Sequence, residues 1–211
     1  LTAVLTMLLY AVPGYIAVRA KAIKPDAIQA FAWFLMYIAS PCLSIYTFTK
    51  PDFHPDKLGS LGIFTLTALL LQTAVLGAFF LLFRKKKDDV RYRIANLAVC
   101  FGNCAFMGVP LLEALLPDYP DAVMLSAVFA VTMNLLGWTA GSAIITGDKS
   151  YISLKKILLN PTTLSLPIAL PLYFTNTDLP GMLGSSVELL GKMTTPLCML
   201  IIGMRLATTK P

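Results

Sequence analysis

The chain has 211 residues, 57% of them hydrophobic and 13% charged, with a net charge of +6 and a mean hydropathy of +0.74. A soluble domain carries about twice that charged fraction, so a soluble fold is excluded and the reading is an all-α membrane protein with several spans. The positive balance does not mark a nucleic-acid binder, because the basic residues stand at the ends of apolar runs on alternate loops, which is a topology signal rather than a patch.

Seven apolar runs are long enough to be transmembrane helices, at 1–18, 27–49, 58–83, 94–116, 122–146, 157–174 and 182–204. The first has no basic n-region or small-residue cleavage site and reads as a span, not a signal peptide. It holds Pro13-Gly14, and the second holds Ser40-Pro41. The third is uncharged and rich in Leu and Phe.

The fourth run carries Gly102-Asn103-Cys104-Ala105-Phe106-Met107-Gly108-Val109-Pro110 where a plain membrane helix would carry Leu and Ile. Pro110 offers no N–H and clashes with the preceding turn. Gly102 and Gly108 weaken a helix and allow close approach to the backbone. Asn103 places a carboxamide in hydrocarbon, which is costly without partners. Backbone freed from helical pairing at this depth persists only inside protein or along a watery cavity, so this run is expected to be a broken helix at the centre of a transport site.

The fifth run holds Asn134 and Trp138, and the sixth Asn160-Pro161, which reads as a helix start with Asn as cap and Pro at the first position. The seventh holds Glu188, Lys192 and Thr195-Pro196. The four cysteines, Cys42, Cys100, Cys104 and Cys198, lie inside apolar runs without a CxxC and read as free thiols.

Fourteen of the seventeen basic residues fall on the loops 19–26, 84–93 and 147–156 and on the tail, while the intervening loops hold only Lys50 and Lys57 among several aspartates. Positive-inside counting puts the first set in the cytoplasm, with the N-terminus outside and residue 211 inside. The plasma (inner) membrane is the expected location. The run Arg84-Lys85-Lys86-Lys87 reads first as a topology signal and second as a lipid contact.

Ser40-Pro41 in the second run and Thr195-Pro196 in the seventh are the same device, a small hydroxyl residue before Pro and an apolar stretch. If residues 1–146 are one five-helix repeat and 147–156 a cytoplasmic linker, then 157–211 begins a second copy, inverted because five is odd. Inverted repeats mark secondary transporters. The second copy lacks counterparts of the third to fifth runs, so the sequence is expected to be a piece of a longer protein.

Val12-Pro13-Gly14-Tyr15, Ser40-Pro41, the block Gly102 to Leu112, Asn134 with Trp138, Asn160-Pro161, and Thr195-Pro196 with Ile202-Gly203 together resemble the auxin efflux carrier family. That family includes plant auxin exporters and bacterial permeases assigned to dicarboxylates such as malonate or malate. The resemblance implies ten helices in two inverted repeats, with the fourth and ninth broken and crossing. It implies a scaffold of the first, second, sixth and seventh helices, through which a homodimer forms, and elevator-like movement of the rest. It also implies that Asn103 is the substrate asparagine and Pro110 the crossover proline.

The candidate substrate residues are Asn103, Gly102, Cys104 and Asn134, with Gly108 and Pro110 shaping the crossover backbone and Pro41 and Pro196 kinking the scaffold. A carboxamide beside an unwound turn offers donors to a carboxylate, and half-helix N-termini favour anions. Asn103 as a cap of the broken ends, and Asn134 as glue between helices, are the plainer readings. The expected substrate is a small organic anion. No cofactor or metal is expected, and any coupling ion would be H+ or Na+. Glu113, Glu188 and Lys192 are the ionisable candidates for coupling. Against that, Glu188 and Lys192 are spaced as an intrahelical pair, and Glu113, four residues before Pro117, reads as interfacial.

His54, the only histidine, has no partner set, and no P-loop, HExxH or Gly-x-Ser-x-Gly occurs, so an enzyme is not expected. Two rivals are carried. A seven-helix receptor or retinal-type protein would use Lys192, but the third run offers no acidic counter-ion. A truncated, non-transporting partner would oligomerise through its scaffold face.

Overall fold

A computed structural model of the chain describes residues 2–86, 89–148 and 160–209. Lys87, most of the 147–156 linker, the first residues of the expected sixth span and Lys210 lie outside the described residues.

The described residues form an all-α fold. Five helices are long and apolar enough to cross a membrane: α2 (Ala27–Thr49), α3 (Lys57–Phe83), α4 (Val90–Leu115), α5 (Pro120–Thr146) and α7 (Gly181–Thr208). Two are shorter, α1, made of Thr2–Leu9 and Ala11–Arg19, and α6 (Pro161–Phe174). Charges bound the long helices, with Asp26 before α2, Lys50 after it, and Asp56 and Arg84 flanking α3. Among the described residues α3 is the one long uninterrupted rod, about 40 Å at the helical rise per residue. It contains no proline, and Ile63, Leu66, Leu70 and Leu82 point outward where lipid would lie.

The other long helices are interrupted, and in α2, α4 and α7 a proline that cannot supply the i to i−4 hydrogen bond stands at or just beyond the interruption. Pro41 has no N–H for the Tyr37 carbonyl, and a wide π turn, Leu35–Ala39, stands immediately before Ser40. A second π turn covers Cys104–Gly108 in α4 and a third Gly137–Gly141 in α5. α7 is divided at Met193 into Gly181–Lys192 and Thr194–Thr208, with Pro196 just beyond the division.

In a bilayer, lipid tails compete with apolar side chains, so helices associate through close backbone approach and polar contacts. Both are present. α1 crosses α7 so tightly that a Cβ on Gly14 would strike the Leu200 carbonyl oxygen, and one on Gly203 the Ala11 carbonyl oxygen. α6 packs on the second half of α2, where Phe48, Ala169 and Tyr173 are buried together with Met124 and Val128 of α5. The first half of α7 lies on α2 through Gly191, whose Cβ would stand 3.1 Å from the Leu43 backbone. α3 is joined to α5 by Gln72, whose carboxamide donates to the Phe129 carbonyl at 3.2 Å and Thr132 Oγ1 at 3.0 Å.

At the end of the bundle carrying Lys50, polar contacts bind the loops. Asn176 pairs with both backbone groups of Phe53, accepting from its N–H at 2.6 Å and donating to its carbonyl at 3.0 Å. Lys57 pairs with Asp121 at 2.8 Å, tying the start of α3 to the start of α5.

Candidate functional site: a cavity at the broken helix

α4 breaks because its sequence cannot close the ladder. Val90–Cys100 is α-helical, Phe101, Gly102 and Asn103 leave the helix, and the chain resumes as the π turn before Val109–Leu115. Asn103 has φ −83° and ψ 61°, and its carbonyl accepts from the N–H groups of Met107 at 3.2 Å and Gly108 at 3.3 Å. Pro110 leaves the Phe106 carbonyl without its helical donor, and Thr195 Oγ1 of α7 donates to it at 2.5 Å instead. Ser126 Oγ of α5 donates to the Cys104 carbonyl at 3.3 Å. Side chains of two neighbouring helices thus satisfy backbone groups that the break exposes.

A cavity of about 360 Å³ opens beside the break. Gly102, Asn103, Cys104 and Asn134, the four residues put forward as substrate contacts, all line it. So do Ser40, Ser44 and Thr47 of α2, Trp138 of α5 and Asn160 at the start of α6. Among the described residues that line it there is no Asp, Glu, Lys, Arg or His. The Asn103 carboxamide donates to Cys198 Sγ at 3.8 Å, a long contact to a weak acceptor. The Asn134 carboxamide has no hydrogen bond among the described residues. All three π turns contribute to the wall, through Leu35 and Met36, through Cys104 to Phe106, and through Trp138. Such widened turns recur at functional sites because they re-aim side chains and loosen the ladder.

Asn160 stands just before Pro161, and its carbonyl accepts from the Leu164 N–H at 2.8 Å, as a helix-start residue does. It also faces the cavity, a placement that sequence alone did not suggest. Ser40 enters the sequence reading only as part of the Ser40-Pro41 device, and the buried Gln72 does not enter it. The only local signals were a hydroxyl before Pro41 and a lone carboxamide in an otherwise apolar α3.

Pro110, Glu113, Lys192 and Pro196 line a second cavity of about 330 Å³ on the other side of the break. Glu113 is paired with Lys50 at 2.7 Å, and Lys192 with Glu188 at 2.6 Å. Burial costs the Lys50 ammonium some of its affinity for the proton, and Glu113 and Tyr46 more than restore it, so its pKa stands above the ordinary lysine value. Lys192 is 54% exposed, not the buried lysine that a Schiff base requires. Pro41 and Gly108 line neither cavity. They act on the backbone, and a Cβ on Gly108 would come within 3.3 Å of Ser126 Oγ. Among the described residues no group of His, Cys, Asp and Glu is arranged to hold a metal ion.

None of the curated proteins matches the chain. Residues 1–153 match the family model described as membrane transport protein, a family of transporters rather than enzymes. The chain, with its apolar helices and a cavity at a broken one, belongs to this membrane transport family, the auxin efflux carriers.

Proposed function

We propose that this membrane transporter is a secondary-active carrier of a small organic anion, a mono- or dicarboxylate of the auxin or malonate/malate kind. The cavity at the α4 break is its substrate site. One observation carries the proposal: the carboxamides of Asn103 and Asn134 and the hydroxyl residues Ser40, Ser44 and Thr47 line a single cavity beside unwound backbone. Carboxamide and hydroxyl donors suit a carboxylate, and the Asn103 N–H group now spent on the Cys198 sulfur is readily given up to it.

Alternating access is elevator-like, with α3 to α5 moving against α1, α2, α6 and α7. An inverted relation between 1–146 and 157–211 is supported by reciprocal packing. If α6 and α7 repeat α1 and α2, the α1–α7 pair must be matched by an α6–α2 pair, and both are tightly packed. The scaffold face of these four helices carries the homodimer. The protein sits in the plasma (inner) membrane with the N-terminus outside and residue 211 in the cytoplasm. Coupling to H+ or Na+ would draw on Glu113, Glu188 or Lys192, since the described residues lining the substrate cavity include no carboxylate.

The test is Asn103→Ala in the full-length protein, with binding and uptake measured across a panel of mono- and dicarboxylates. Loss of a hydrogen bond to a charged group predicts at least about tenfold weaker binding with unchanged thermal stability. Unchanged affinity would overturn the assignment.

A further inference from the structure

The two cavities stand back to back. Leu43 of α2 and Val109 of α4 line both, so a single layer of side chains separates them, with Phe106 packed against the same pair. The cavity at the break is walled by Ala32 and Met36, in the half of α2 nearer its Asp26 end, and by Trp138 and Asn160. These four lie toward the end of the bundle that carries Arg19 and Arg84, while Ser44 and Thr47 extend the wall past Leu43 toward Lys50. The second cavity is walled by Met7, Tyr10, Tyr46, Glu113 and Lys192, toward the end that carries Lys50.

Charged contacts close the second end. Lys50 reaches from the end of α2 to Glu113 near the end of α4, 2.7 Å away, and its ammonium lies 4.6 Å from the centre of the Tyr46 ring. Lys192 of α7 approaches the same ring at 5.5 Å while bonded to Glu188. Thr195 of α7 holds the Phe106 carbonyl. The resumed half of α4 is therefore fastened to α7 by a hydrogen bond beside the layer that divides the cavities, and to the end of α2 by an ion pair about one to two helical turns beyond Leu43 and Val109.

We propose that the Leu43–Val109 layer and the Lys50–Glu113 ion pair form a gate that shuts the substrate cavity from the Lys50 side. The proposal rests on reading the α4 cavity as the substrate site. The two parts have complementary tasks. The apolar layer excludes water and solute, and the ion pair keeps the layer closed. The pair's side chains are 34% and 25% exposed, so it is partly solvated. Such a pair is weak enough to break in a transport cycle and geometrically specific enough to re-form. Glu188 stays with Lys192 four residues on, which leaves Glu113 to Lys50.

The native cysteines supply an assay that needs no substrate. With Cys42, Cys100, Cys198 and any cysteine outside residues 1–211 replaced by serine, Cys104 is the single thiol, and it lines the α4 cavity. A membrane-impermeant maleimide is applied to either face of oriented membrane vesicles carrying the protein. Cys104 should react from the Arg84 face and slowly from the Lys50 face. Glu113→Gln and Lys50→Gln should each raise the Lys50-face rate about fivefold, the factor that a contact of about 1 kcal/mol commands. The charge swap Lys50→Glu with Glu113→Lys should bring the rate back down. An unchanged Lys50-face rate in both single variants, with the Arg84-face rate intact, overturns the gate while leaving the cavity reading in place. Reaction from neither face in the parent overturns the open cavity and the gate with it.

Discussion

At the scale of single residues, the break in α4 is held open by groups that answer one another across helices. Pro110 removes the donor for the Phe106 carbonyl, and the Thr195 hydroxyl replaces it. Thr195 is itself 7% exposed, so its loss would not be made good by bulk water. Thr195→Val keeps the shape of the side chain and removes the donor. It should lower the stability of the purified protein by about 1–3 kcal/mol, the cost of a buried acceptor left unsatisfied, and Thr195→Ser should recover most of it. Thermal unfolding in detergent reads both. Equal stability of the valine variant and the parent would show that another donor serves the carbonyl. Asn103 and Asn134 were legible as candidates because a carboxamide in an apolar run is conspicuous, and the cavity that they share lies where Gly102 and Pro110 interrupt α4. Asn160 was legible only as a helix start, because a cap and a cavity-lining side chain present the same Asn-Pro dipeptide.

At the scale of helices, glycine does two different jobs that sequence cannot tell apart. Gly59 and Gly62 on α3 have nothing within 4 Å of where a Cβ would be, so alanine there should be neutral or stabilising, as alanine is in any open helical position. Gly14 and Gly203 mark the crossing of α1 and α7, where a Cβ would run into backbone rather than into a side chain that can turn aside. Gly203→Ala should therefore force the two helices apart and cost about 1–3 kcal/mol, while Gly59→Ala serves as the control. Comparing the two variants by thermal unfolding decides the point. Equal melting temperatures would mean that the crossing relaxes without cost. The all-α membrane class was legible from hydropathy because each long apolar run is bounded by charge. The π turns were not. Pro41 and Pro110 announce that a ladder must be broken, but whether it kinks, unwinds or widens depends on which neighbours can satisfy the freed carbonyls. At Gly137–Gly141 there is no proline to announce anything, and the close approach of Phe101, 3.3 Å from a Gly141 Cβ, is a tertiary fact.

At the scale of the whole molecule, the two ends of the bundle differ in kind. The loop after α1 and the turn after α3 carry a dense positive charge, with Arg19, Lys21 and Lys24 at one and Arg84 and Lys85 at the other. At the opposite end Lys50, Lys57 and Lys192 are each paired with a carboxylate, Glu113, Asp121 and Glu188, so that end presents little net positive charge. Charge of the first kind is retained in the cytoplasm during insertion, and a neutralised end offers no such retention. The α4 cavity lies toward the basic end and the Lys50–Glu113 gate toward the neutralised one. On the proposed orientation, the α4 cavity proposed as the substrate site meets the cytoplasmic face in this state. Small tags placed at residue 86 and at residue 118 should accordingly report opposite sides of the membrane, the first reachable only from the cytoplasm and the second only from outside. Labelling of both from one side would overturn the topology. Opposite sides with the assignments exchanged would keep the fold and reverse the face to which the cavity opens. The same two tags orient the vesicles for the cysteine assay, so the direction of the gate is fixed independently of the charges that predict it.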